Sequence, residues 1–529
     1  MDLIREYESS GTYPATIRKA LHNLGVSDIL FSSPTDPHPC NTLAHMYGLM
    51  YLSSQLSGSV GIDVGVNVLA LLPLYRAGSS KQKEKTAQVM SEGKYFSFLI
   101  TEKSNGPDIF SNQFSHELIS VGDSRRNYQL NGEKDWINGG STHEFQLVLS
   151  RERSSFLNRT TAKSFTLFLT RLRSETIFAT KQWRNCPAPA ADIASVRYDQ
   201  HLCTDSNIVG VPGSGFSLVQ DSFSITRGLV GAGAAGLASC ITTSIEKQVR
   251  GRHLYKQPLS NIEVVASKYE KARAIELVIV CVTLKCLHVQ NSYGVRASHY
   301  SNLTKYATTA FLEELVLLGK EILSAQALFE EYSFHRILRD YSLLAIFDGT
   351  SDICLEQIQS KLTKSASAKF TSPISISEFS KIFSADIQSI HDTFKQNNDE
   401  STVLFRPDTY AQATNVDFHY GYNTHDLSVL LIDTIEELKQ SGYWFKRQSY
   451  RHSAARALVY LECIFAINDI CTRTNHGTEL ATLAHLSESI CTEKVARNLM
   501  SLPANDKKHA RRLGEILAAS AIRQQNNGV

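Results

Sequence analysis

The spacing of apolar residues changes character twice along this chain, and those two changes constrain its fold more than any other feature. From the N-terminus to about Ile100 apolar residues recur at helical intervals, interrupted by stretches such as SSPTDPHPCN and RAGSSKQ. From Phe96 to about Ser206 short β-rich runs take over: Phe96 to Ile100, Phe145 to Leu149, Phe165 to Leu169 and Ile193 to Tyr198. Asn131-Gly132, between Tyr128-Gln129-Leu130 and the Trp136-Ile137 segment, predicts a hairpin turn. After Gly213-Ser214-Gly215 helical spacing returns. Ser260-Asn261-Ile262-Glu263 reads as a capping box for a helix running through Tyr269 toward Leu287, and further helices cover Thr304 to Leu328 and Ser351 to Leu362. Thr363 to Glu400 is rich in Ser, Asp and Asn and reads as a linker, after which helical spacing resumes at Leu427, Leu430, Leu431, Ile435 and Leu438. The expected class is therefore α+β and mostly α. It has a helical domain over 1–98, a β barrel or sandwich over 99–206, a helical bundle over 207–362, and a linker with a helical extension over 363–529.

Composition narrows the function. With 54 Lys and Arg against 52 Asp and Glu the formal net charge is +2, which gives no basic field for nucleic acid. The start MDLIREYESS carries acidic residues and no apolar core, so no secretory signal is expected, and no uninterrupted apolar run reaches the ~18 residues of a membrane span. A cytoplasmic location follows as an expectation. The ten cysteines contain no CxxC pair and are expected as reduced thiols without a metal. Cys281, Cys286 and His288 are close in sequence, but on a helix the two cysteines diverge. In the tail, KKHARR places Lys507 with Arg511 and Lys508 with Arg512 on one basic face, an arrangement that is usually solvated.

Several short motifs carry possible chemistry. IFDGTSDI, Ile346 to Ile353, puts the carboxylate of Asp348 on an Asp-Gly turn, with Thr350 or Ser351 capping the helix that follows. Such a turn is commonly only a cap; its other use is as a base on a loop. GAGAAG, Gly231 to Gly236, matches a dinucleotide pattern but lacks the preceding strand, so close helix packing explains it better. ITEKSNGPD, Ile100 to Asp108, offers backbone N–H groups to an anion or a flavin edge, and Trp136 beside Gly139-Gly140 can wall a planar ligand or fill the core. Arg252 and Tyr255 in VRGRHLYKQPL suit a phosphate, or a helix end at the surface.

In order and spacing, these pieces resemble one family. GSSKQKEKTAQVMSEGKYFSFLITEKSNGPD, YQLNGEKDWINGG, VPGSGFSLVQDSFSITRGLVGAGAAGLA and RILRDYSLLAIFDGTSDI are similar to segments of the acyl-CoA dehydrogenases, over the chain up to about Thr363. The resemblance implies FAD at a subunit interface. Thr101, Trp136, Ile137 and Asn138 then approach the flavin, Arg252 and Tyr255 reach the FAD of a neighbouring subunit, and Thr350 and Ser351 contact the cofactor. Asp348 stands where most members carry a catalytic glutamate; Thr226 fills the position where some members carry it instead. Arg227 is the kept substrate-contacting residue, beside Ser224 where an acidic residue is usual. Pro107 replaces a common Ser, and Ser324-Ala325-Gln326-Ala327 replaces a Gly-Gly-x-Gly segment.

The reaction implied is α,β-desaturation of an acyl thioester on CoA or on a carrier protein, with an electron-transfer flavoprotein or oxygen as acceptor. A homodimer or tetramer is implied, the helical extension favouring the dimer. Two alternatives stay open: a flavin oxidase similar to nitroalkane oxidase, which also uses an aspartate at this site, and a non-catalytic binding or scaffold member.

Overall fold

The computed structural model describes residues 6–8, 10–11, 15–31, 43–121, 126–157, 160–172, 175–367, 422–473, 478–503, 511 and 513–515. Most of the expected linker, and Lys507, Lys508 and Arg512 of the basic face, lie outside the described residues. The chain forms two compact units, Met1–Leu229 and Val230–Val529.

The first unit opens with helices α1 (Ala15–Asn23), α2 (Val26–Leu30), α3 (Leu43–Leu56), α4 (Gly58–Ala77) and α5 (Ser80–Ser91). Ser57 caps α4 by accepting from the Val60 N–H, and Ser79 with Gln82 forms a reciprocal capping box on α5. The Gln82 amide also donates to the carbonyls of Ser206 and Ile208 at 3.0 and 2.9 Å, tying α5 to the end of the β region. That region is one eight-stranded mixed sheet: β1 (Phe96–Leu99), β2 (Ser115–Val121), β3 (Arg126–Asn138), β4 (Phe145–Glu152), β5 (Phe165–Arg171), β6 (Ile177–Trp183), β7 (Ile193–Thr204) and β8 (Ile208–Val209). The order is β6-β7-β3-β2-β4-β5-β8, with β1 parallel to β4. Leu99, Leu130, Ile137, Val148, Phe168, Ile177, Val196 and Ile208, from seven of these strands, meet in one apolar core together with Phe114. The sheet therefore wraps its own core in the manner of a barrel.

Asn131-Gly132 is not a hairpin turn. β3 runs straight through it, and the pair marks a bulge where the register with β7 shifts between Leu130 and Gly132. Gly132 adopts φ +141°, and a Cβ there would lie 2.8 Å from Phe114 Cα, so close backbone approach explains the glycine rather than turn chemistry.

The long helix α6 (Gly215–Gly251) ends the first unit and begins the second. Two strands, β9 (His253–Leu254) and β10 (Gln257–Pro258), form a hairpin with Tyr255 and Lys256 at φ +52° and +64°, the double left-handed conformation that suits a tight hairpin. Helices α7 (Glu263–Tyr293), α8 (Ser298–Leu323), α9 (Phe334–Asp340), α10 (Ser342–Ile346) and α11 (Ser351–Ser367) follow. The capping box expected at Ser260 is not formed: Leu259–Asn261 makes a 3-10 turn and Ile262 precedes α7 without a side-chain cap. Within GAGAAG, a Cβ on Gly231 would meet Thr304 Cγ2 at 2.7 Å and Thr283 Oγ1 at 3.1 Å, so its lack of a side chain lets α6 pack closely on α7 and α8.

The extension comprises α12 (Tyr422–Gln440), α13 (Tyr443–Lys446), α14 (Gln448–Arg473) and α15 (Thr478–Met500). It packs on the bundle within the same unit. Lys285 of α7 pairs with Asp469 of α14, Arg273 with Glu479 at 2.7 Å, Lys494 with Glu314 at 2.8 Å, and the Ser487 hydroxyl donates to the Ala274 carbonyl at 2.9 Å. Helices α4 and α6 are long and apolar enough to cross a membrane by length and composition, although the longest uninterrupted apolar run is short; both are mostly buried in the fold.

Candidate active site

Within the first unit, Thr101 and Trp136 are joined by backbone geometry. The Asp135 N–H donates to the Thr101 carbonyl at 2.9 Å, and the Lys103 N–H donates to the Asp135 carboxylate at 3.1 Å. Beneath them Lys134, fully buried, donates to the Ile100 carbonyl and to Glu102 Oε1, each at 2.9 Å. Burial pushes the Lys134 ammonium down to about 8 while Glu102 holds it up. Glu102 also accepts from the N–H groups of Gln113 and Phe114 at 2.6 and 2.9 Å, so the loop after β1 is held from both ends.

Trp136 sits on a second bulge, between Lys134 and Ile137, with φ +57°. A non-glycine residue in this conformation carries strain, and here it turns the indole outward, leaving it 46% exposed beside Trp183 at 6.1 Å between ring centres. Ile137 faces the other way into the β core, so only its backbone is open to a ligand. Asn138 is buried; its amide donates to Asp63 Oδ1 at 3.3 Å, while its own Oδ1 is buried without a hydrogen-bond partner. Asp63 is the hub of this corner. It accepts from Arg18 Nε at 3.3 Å and lies 2.9 Å from His143 Nε2, whose other ring nitrogen is 2.9 Å from the Phe96 carbonyl.

On α6, the Ser224 hydroxyl donates back to the Gln220 carbonyl at 2.8 Å, and buried Arg227 lies over the Phe223 ring at 5.2 Å. Thr226 Oγ1 is buried without a partner.

In the second unit Asp348 occupies the turn between α10 and α11, at φ +56°, followed by Gly349 at φ +96°. Thr350 is exposed and its carbonyl accepts the first helical N–H of α11, from Cys354, at 3.1 Å, so Thr350 is the N-cap and Ser351 the first residue of the helix. Lys305 of α8, 1% exposed, reaches the turn from below: its ammonium donates to the Ala345 carbonyl at 3.3 Å and to the Gly349 carbonyl. Arg252 and Tyr255 sit on a different element, the β9–β10 hairpin, both exposed, Tyr255 at 88%. Asp348, Thr350 and Ser351 thus share one turn, and Thr101 and Trp136 come near each other where the Thr101 carbonyl takes the Asp135 N–H, whereas the Asn138 side chain is turned to Asp63.

Lys134, Asp63, His143 and Lys305 were not singled out from the sequence. For Lys134 a signal exists: counting by twos from Tyr128 and Leu130 places it on the inward face of β3. The others are joined to their partners only by tertiary contact.

Residues 213–363 match the family model for the C-terminal domain of acyl-CoA dehydrogenases. A probable medium-chain specific acyl-CoA dehydrogenase of Caenorhabditis briggsae is 26% identical over 66% of this chain and 83% of its own. Over residues 213–363 the chain carries the C-terminal domain of the acyl-CoA dehydrogenase family. Solved structures agree on the acyl-CoA dehydrogenase fold. An acyl-CoA dehydrogenase from Bacillus anthracis, complexed with FAD, superposes with a TM-score of 0.75 at 15% identity, covering 97% of this chain and 89% of that one. The prolyl acyl carrier protein oxidase AnaB superposes with a TM-score of 0.61 at 19% identity, over 68% of this chain and 94% of its own. The match at 97% coverage takes in the C-terminal extension, so that extension recurs on an acyl-CoA dehydrogenase fold.

Proposed function

We propose that this chain is an FAD-dependent dehydrogenase that introduces an α,β double bond into an acyl thioester, with Asp348 as the general base. The observation that carries the reading is the placement of the Asp348 carboxylate on a left-handed turn between α10 and α11, inside the segment that matches the family's C-terminal domain. The residues present fit FAD. The outward indole of Trp136 can wall a planar ring, and Asn138 Oδ1 is a buried acceptor lacking a donor. The chemistry that FAD would supply when bound is that of a hydride acceptor for the β carbon. Asp348 takes the proton α to the thioester carbonyl, and the turn's geometry sets how far its carboxylate reaches. Aspartate is one methylene shorter than glutamate, so its position tolerates little error. Buried Arg227 is the residue we assign to orienting the substrate, beside Ser224. Arg252 and Tyr255, exposed on their hairpin, are assigned to a neighbouring subunit's FAD in a dimer or tetramer. The expected cytoplasmic location belongs to the same proposal and is checked by fractionation.

The test is the visible flavin spectrum of the purified protein, recorded anaerobically before and after adding saturated acyl thioesters on CoA and on carrier protein. Bleaching supports the reading, and the carrier that gives it identifies the handle. Asp348→Asn should keep the flavin and slow bleaching by about 100-fold or more, the usual contribution of a general base. An unbleached flavin with hydrogen peroxide formed from a nitroalkane would replace this reading with the oxidase, and a protein without flavin would replace it with the scaffold.

A further inference from the structure

A lysine in a helix is ordinarily a solvated side chain, and burying its ammonium is costly unless hydrogen bonds compensate it. Lys305 is 1% exposed, and the acceptors that receive its protons include two carbonyls that bracket the base: Ala345, in the last turn of α10, and Gly349, directly after Asp348. Between those acceptors the backbone takes φ +56° at Asp348 and +96° at Gly349. The first value is a strained conformation for a side chain larger than glycine, and such strain persists only where the surroundings impose it. Lys305 itself is fixed from behind, since the hydroxyl of Thr309, one turn on, donates to its carbonyl at 2.8 Å.

We infer that Lys305 is a positioning residue: its ammonium clamps the α10–α11 turn in the left-handed conformation and so sets the reach of the Asp348 carboxylate. The clamp acts on the backbone on either side of the base. Because aspartate has one methylene less than glutamate with which to correct a misplaced turn, the reaction depends on the clamp. A displacement of about 1 Å costs roughly 100-fold in rate. The inference rests on the reading of Asp348 as the base, but the clamp itself is testable without turnover.

The experiment compares Lys305→Met, which keeps the stem and removes the donors, with wild type. Amide hydrogen exchange followed by mass spectrometry reads the turn directly. The peptide spanning Ala345 to Ser351 should exchange at least tenfold faster in the variant, with peptides from the β sheet unchanged. Stopped-flow bleaching reads the consequence: the limiting rate should fall 10- to 100-fold while the thioester Kd and the bound flavin stay within about twofold. Lys305→Arg, which restores a cation with donors, should recover part of both. If Lys305→Met does not fold, Lys305→Gln, which retains a donor amide, is measured in the same way. Unchanged exchange in the turn overturns the clamp whatever the activity. Faster exchange with an unaltered bleaching rate overturns the positioning role. Faster exchange in the variant, together with a wild-type protein whose bound flavin is bleached by no thioester, would leave the clamp standing and overturn the functional reading beneath it.

Discussion

Individual residues in this chain hold backbone conformations that their side chains resist, and each makes a measurable prediction. Ser324 ends α8 at φ +56°, ψ −128°, a region that glycine occupies readily and serine does not; Gly294, at the end of α7, takes nearly the same angles. The family resemblance expects glycine in this segment, and the backbone has kept the glycine geometry without the glycine. Ser324→Gly should therefore stabilise the protein by about 1 kcal/mol, the relieved strain exceeding the added entropy of the unfolded chain. A rise in the urea midpoint with an unchanged slope would bear this out; a fall would mean the serine compensates elsewhere. Gly139 is the converse case. At φ +70° it lies where a Cβ would fall 2.1 to 2.3 Å from the His143 ring. Gly139→Ala should cost about 3 kcal/mol or more, because it displaces a ring held by Asp63 and the Phe96 carbonyl.

At the scale of elements, α4 carries the device that fastens the helical region to the sheet. Asp63 and Asn67 lie one turn apart on its inner face; the side-chain Oδ1 of Asn67 accepts the Phe96 N–H at 2.8 Å and Asp63 takes Arg18, His143 and Asn138. Burial alone would raise the Asp63 carboxyl, but Arg18 and His143 outweigh it and hold the group well below the usual carboxylate range. A depressed folded pKa stabilises fully above the unfolded value, 3.8, and the contribution is lost as pH falls through the folded value. Acid unfolding followed by circular dichroism should thus be steep below about pH 4. Asp63→Asn should flatten it while costing ~3 kcal/mol or more at neutral pH, because Arg18 and His143 lose their partner. None of this was legible beforehand. The pattern of α4 shows only an apolar helix with two polar interruptions, and the partners lie far along the chain. The alternation in β3 was legible and would have placed Lys134 inside; Asn131-Gly132 misled because a hairpin turn and a bulge ask for the same residues. Whether Gly132 turns the chain or admits Phe114 is decided by packing, not by local sequence.

For the molecule as a whole, periodicity sufficed for the succession of helices, strands and helices, and the IFDGTSDI turn was readable as a carboxylate before a helix. Its support was not, since Lys305 reads as one more surface lysine on α8. The way the extension docks was half-visible. From Ala272 onward α7 buries Ala274, Cys281, Val282, Thr283, Cys286 and Leu287, which at about 100° per residue run more than halfway around the helix, so a second layer had to cover it. That layer is α14 and α15, and it brings a buried carboxyl with it. Glu462 of α14 lies within the electrostatic reach of Lys285 and Tyr300; burial pushes its carboxyl up to about 7, and Lys285 only partly offsets this. A raised folded pKa means that the native state holds the extra proton between 4.5 and about 7, so stability falls as pH rises across that window, by at most about 1.4 kcal/mol per unit. Glu462→Gln, permanently neutral, should remove the slope and leave the protein more stable than wild type at pH 8, with little difference at pH 5. Urea midpoints at those two values decide it: parallel shifts in wild type and variant would mean that Lys285 holds the Glu462 carboxylate ionised at both, and that the extension docks without a proton-linked cost.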